Sequence, residues 1–173
     1  GSHPVEVNLL GGAFVNNSMT TTGANLACIS ATNDGSTVVI GGVKFAGNTD
    51  KNGETINALT LSTHNVTLIP TEDTDFQDPI YINNAYGSSK DVAIRVPEGL
   101  TKLKGKLPIL LAKEFVGAAT ISGGTGEGAY ALQPSDMEKV HVVNGIDGAY
   151  YLEVNENNTA VFAEVKTNDI VVY

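Results

Sequence analysis

Apolar residues in this chain come in short bursts cut by Gly, Asn, Asp or Pro. They never recur at the i, i+3, i+4, i+7 spacing over three turns that marks an amphipathic helix. The stretches "STVVIGGVKFAG", "INALTLS", "NVTLI", "PIYIN", "DVAIRV", "AYYLEV", "TAVFAEV" and "DIVVY" are rich in β-branched or aromatic residues and bounded by turn formers, so each is predicted to be a strand. The nearest approaches to a helix are "PILLAKEFV" and "PSDMEKV"; in the second, Ser135 is placed to cap a single turn through Met137 and Glu138. The pattern predicts an all-β protein.

Two all-β architectures fit. An antiparallel β-sandwich joins alternating strands by tight Asn-Gly or Asp-Gly hairpins, and "NDG", "KNG", "VNG" and "IDG" are four candidates for such turns. A parallel β-helix, or solenoid, instead stacks coils of short strands with Asn, Gly and Thr at the corners. The chain's 16 Asn and 17 Thr suit those corners, because Asn tolerates positive φ and Thr packs in short strands. A repeat favours the solenoid: "GGAFVNN" and "GGVKFAGN" each place F-x-x-N after a Gly-Gly pair, with Phe14 and Phe45 31 residues apart. Stacked coils would set Phe on Phe and Asn on Asn. From Leu107 onward the texture changes, and "AYYLEVNENNTAVFAEV" reads as a β-hairpin that would cap the last coil and block edge-to-edge aggregation. The predicted organisation is residues 1–3 as an expression-tag remnant, 4–106 as solenoid-like coils, and 107–173 as a β-rich cap continuous with the same domain.

"GGAFVNN" and "GGVKFAGN" resemble the GGA/I and F-x-x-N repeats of polymorphic outer-membrane proteins and related autotransporter passengers. "LPILLAKEFVGAATISGGTGEGAYALQ", with the later "GAYYLEVNENNTAVFAEV", is similar to the last passenger segment of bacterial β-helical surface proteins. Only two F-x-x-N copies occur, and the second Gly-Gly pair is followed by Val-Lys rather than Ala or Ile. The resemblance implies a right-handed β-helix, bacterial cell-surface or extracellular exposure, and a binding or scaffold role.

Charge narrows the partners. The net charge is −9, with a single arginine, so nucleic acid is not an expected partner; the one local basic excess is Lys102, Lys104 and Lys106. No apolar run reaches the roughly 18 residues of a membrane-spanning helix, so no membrane insertion of this segment is expected. One cysteine, Cys28, excludes an internal disulfide, and its apolar neighbours predict an inert, buried thiol.

Candidate chemistry is sparse. In "TEDTDFQDP", Asp73, Asp75 and Asp78 form a candidate weak Ca²⁺ site, since closely spaced carboxylates supply hard oxygen ligands. The EF-hand pattern is absent, and a solvated acidic loop is the competing reading. Tyr81 and Tyr86 near turns, with Arg95, are candidate ligand contacts: the rings can stack on a sugar, and the guanidinium can clamp an acid. His64 and His141 stand without a nucleophile motif, and "GGTGEG" lacks the Lys-Ser/Thr of a phosphate loop. No catalytic residue and no cofactor apart from Ca²⁺ is expected. The expected role is that of a non-enzymatic structural or adhesive module of a larger surface or secreted protein, with a surface glycan or protein as partner. The alternatives are a carbohydrate-binding or polysaccharide-processing module, and a phage capsid decoration or fibre protein. The sequence leaves the oligomeric state open.

Overall fold

A computed structural model describes residues 6–23, 26–31, 37–61, 66–82, 94–111, 119–124, 126–143 and 150–164. The strands lie in three sheets and are visited in rotation. The first coil is β1 (Glu6–Leu9), β2 (Gly12–Val15) and β3 (Ala27–Ala31); the second is β4 (Thr37–Ile40), β5 (Val43–Ala46) and β6 (Asn57–Leu61). The third is β7 (Val66–Leu68), β8 (Asp75–Phe76) and β9 (Ile80–Ile82). Two further coils contribute β10 (Ile94–Arg95) with β11 (Leu107–Leu111), and β12 (Ala119–Ser122) with β13 (Val140–Val142). The chain is a β-solenoid: the first sheet runs β1-β4-β7-β10-β12, the second β2-β5-β8, and the third β3-β6-β9-β11-β13, every neighbouring pair in parallel. The antiparallel sandwich is thereby set aside.

Parallel in-register stacking puts like side chains above one another, and each sheet contributes an inward column. In the first sheet the column is Val7, Val38, Val66, Ile94 and Ile121. In the third it is Ile29, Leu59, Ile80, Ile109 and Val142. In the second, Phe14, Phe45 and Phe76 stack with centroids 5.1 Å apart at both steps and interplanar angles of 2° and 15°. That separation is close to the spacing of hydrogen-bonded strands, so the backbone sets the ring spacing. The repeat read from Phe14 and Phe45 is a physical stack, with a third rung at Phe76.

The Gly-Gly pair marks the corner between the first two sheets. Gly42 has φ +65°, and its N–H is accepted by the Thr74 hydroxyl of the next coil at 2.7 Å. Gly47 at the following corner has φ +66°, and a Cβ there would lie 2.5 Å from Asn16 Oδ1. Among the predicted hairpin turns, "KNG" is a tight turn: Gly53 N–H donates to the Asp50 carbonyl at 3.1 Å, and Thr49 and Thr55 bridge antiparallel across it. "NDG", "IDG" and most of "VNG" lie outside the described residues.

Parallel coiling runs on past residue 106, through β13, and only then gives way to a cap. The hairpin β14 (Tyr150–Val154) and β15 (Thr159–Glu164) packs β15 antiparallel on β12. Asn158 at its turn clamps the cap: its Oδ1 accepts from Leu132 N–H at 2.7 Å, and its Nδ2 donates to the Tyr130 carbonyl at 2.6 Å. The predicted helical turn is α1 (Pro134–Met137), with Gln133 rather than Ser135 at the N-cap. Asp136 replaces the expected serine cap, because its fully buried carboxylate accepts from Gln133 N–H, Leu100 N–H and the Tyr130 hydroxyl, at 2.7 to 2.8 Å. Below β8 the second sheet stops, and Leu100 and Leu103 of the following loop fill the interior.

Phe45, enclosed between two rings, is the keystone of the aromatic column, whereas Phe14 has a ring above it on one side only. Phe45→Ala is expected to cost about 3–5 kcal/mol and Phe14→Ala less than half as much, read from urea denaturation. Equal losses would contradict the stack.

Candidate functional site

Beside the Phe column runs a polar one. Asn17 Nδ2 donates to Asn48 Oδ1 at 2.8 Å, and Asn48 Nδ2 donates onward to Asp78 Oδ2 at 2.5 Å. The Asn48 and Asp78 rungs also collect backbone donors: Asn17 N–H reaches Asn48 Oδ1, while Gly47 N–H and Asn48 N–H reach the two Asp78 oxygens at 3.0 and 3.3 Å. Asp78 therefore ends the ladder as an acceptor-only rung, fully engaged from above.

That placement separates the three carboxylates of the Ca²⁺ expectation. Asp78 points under Asn48 and is buried; Asp75 projects from β8 toward Lys44 Nζ at 3.9 Å and accepts from Gln77 Nε2 at 3.0 Å; Asp73 is exposed in the preceding turn. Coil geometry sends three neighbours in sequence to three different surroundings. Among the described residues no three His, Cys, Asp or Glu side chains gather as a cation site. Of the ligand-contact candidates, Tyr81 and Arg95 are not brought together. Tyr81 sits half-buried on β9 in the third sheet, Arg95 is exposed on β10 in the first, and Tyr86 lies outside the described residues.

A cleft of about 640 Å³ is the stronger candidate, and sequence reasoning missed it. It runs along the outside of the third sheet, touching residues from the first coil (Leu26) to the last (Val143). Leu26, Ile56, Pro79, Pro108 and Leu110 give it apolar surface. The 50–55 turn makes one wall, carrying Asp50, Glu54 and Thr55, with Thr22 and Gln77 adding polar groups. Asp50 holds that wall in shape, because its Oδ1 accepts from Asn52 N–H at 2.7 Å and Glu54 N–H at 3.0 Å. Tyr81 pairs in register with Leu110, beside this cleft rather than on its lining. The cleft is long, open, half apolar and rimmed by carboxylates and amides, and among the described residues no Lys, Arg or His lines it. Such a surface suits an extended, uncharged or weakly cationic chain better than a polyanion.

Cys28, on β3, is half-buried. Burial, reinforced by the nearby Asp78 charge, pushes its thiol up to about 11. Tyr130 is also pushed up, by desolvation and then by donating to Asp136. His141 is exposed on β13, and His64 lies outside the described residues. Comparison with family models, curated proteins and solved structures returned no match for this chain.

Asp78→Asn places an amide N–H₂ against a donor whichever way it turns, so it is expected to cost about 1–3 kcal/mol in urea denaturation; an unchanged midpoint would contradict the acceptor-only rung. Cys28 is expected to react with a disulfide reagent at pH 8 roughly 100-fold more slowly in the folded chain than in urea, because its thiolate forms only near pH 11. Equal rates would show the thiol to be free of those influences.

Proposed function

We propose that the chain is a non-enzymatic structural and adhesive module, a stiff β-solenoid segment of a larger surface or secreted protein. The observation that carries this reading is the cleft along the third sheet, which is continuous across successive coils and held on a laddered, rigid core. Stacked backbone hydrogen bonds give stiffness, and a shallow open cleft gives weak contacts that gain strength when many copies are displayed together. Buried carboxylates in this fold accept hydrogen bonds from neighbouring coils: Asp78 from Asn48 and Gly47, and Asp136 from Leu100 and Tyr130. The sequence resemblance to passenger repeats favours display outside a bacterial cell.

The apolar cleft surface with its amide and carboxylate rim also supports a carbohydrate-binding role, with a neutral glycan chain as the surface partner. Immobilised protein is expected to retain neutral polysaccharide without changing its chain length. Leu110→Asp is expected to weaken retention about tenfold or more, with an unchanged circular dichroism spectrum. Release of new reducing ends or unsaturated products over time would replace this reading with polysaccharide processing. Retention indifferent to Leu110→Asp would remove the cleft as the contact.

A further inference from the structure

The two ends of the solenoid are built differently. The last coil carries the α1 turn and the buried Asp136, and beyond it an antiparallel hairpin pairs with β12. At the first coil, among the described residues, β1, β2 and β3 are each the outermost strand of their sheet. Positions on these strands are open where the equivalents one coil on are closed: the inward Val7 is 41% exposed against 5% for its register partner Val38, and Val15, next to Phe14, 38% against 6% for Ala46. Leu10 beside them is 70% exposed, and Phe14 is only half-buried, with one ring stacked on it. The polar ladder is open at the same end. Asn17 Nδ2 already donates to Asn48, and among the described residues nothing donates to Asn17 Oδ1.

We propose that this end face docks one further parallel coil carrying its own F-x-x-N, supplied by polypeptide running into β1 as each coil here runs into the next. Ladder polarity selects the occupant. An incoming coil in parallel register brings an Asn Nδ2 donor onto Asn17 Oδ1 and a second ring onto Phe14, repeating the Asn17–Asn48 and Phe14–Phe45 contacts. Two copies meeting head to head are related by a two-fold axis that sets the facing strands antiparallel, which cannot repeat the in-register Phe and Asn contacts, and head-to-tail stacking would meet the antiparallel hairpin of the other end.

The test duplicates residues 37–66 ahead of Glu6 in the full chain. The expected result is a Tm higher by about 5 °C and loss of the binding of an apolar-surface dye seen with the unextended chain. Both effects should disappear when the added copy carries Phe45→Ala and Asn48→Ala. An unchanged Tm with undiminished dye binding would overturn the proposal. Sedimentation of the unextended chain gives an independent check: a monomer at all concentrations is expected, and a dimer dissociated by Leu10→Asp would assign the face to a second copy instead.

Discussion

In a parallel in-register stack every side chain has its counterpart one strand spacing above and below it, so a residue is acceptable only if it can live beside its own kind. The aromatic and amide columns of the second sheet meet that condition in complementary ways. Phe rings stack at the separation the backbone imposes, burying their faces against one another. Asn, with a donor and an acceptor on one planar group, passes a hydrogen bond from coil to coil. Charge cannot repeat in this way, and on the outward face Lys44 is followed by Asp75, opposite in sign, on the next strand. Nearly everything else about the molecule is arranged around holding these columns in register.

Such a ladder has a direction, and the direction organises the ends. From side chain to side chain each amide donates toward the later coil, while Asn48 Nδ2 also reaches back to the Phe14 carbonyl, so the side-chain column can finish on a carboxylate, and Asp78 finishes it. The second sheet stops at β8 and aliphatic Leu100 and Leu103 take over the interior. The closing layers depend on Asp136 and Asn158, two side chains that bind backbone groups no parallel neighbour can reach. The cleft is a by-product of the same geometry: outward residues of the third sheet form one continuous surface, and a tight turn from the second coil stands up as its wall.

The parts legible in the sequence were those in which the repeat is literal. Phe14 with Phe45 and Asn17 with Asn48 are readable because both coils keep a Gly-Gly pair followed closely by F-x-x-N. Phe76 was not read as a rung, although it is one step further along the same column, because its coil has lost the Gly-Gly pair and its polar rung is an Asp two residues on rather than an Asn three residues on. The same substitution made "TEDTDFQDP" resemble a cation loop; proximity in sequence says little about convergence when a strand and its corners send neighbours in opposite directions. The hairpin was legible from local alternation around an Asn-rich turn, and β10 to β13 keep to the solenoid although their loops vary in length. The cleft was not legible, because its lining is drawn from residues scattered between Thr22 and Val143 and united only by stacking.

Nuclear Overhauser contacts among the aromatic and side-chain amide protons test the central claim most directly. The stacked fold predicts ring contacts between Phe14 and Phe45 and between Phe45 and Phe76, none between Phe14 and Phe76, and side-chain amide contacts linking Asn17 to Asn48. Contacts that place Phe14 and Phe45 in separate surroundings would contradict the solenoid and the ladder together.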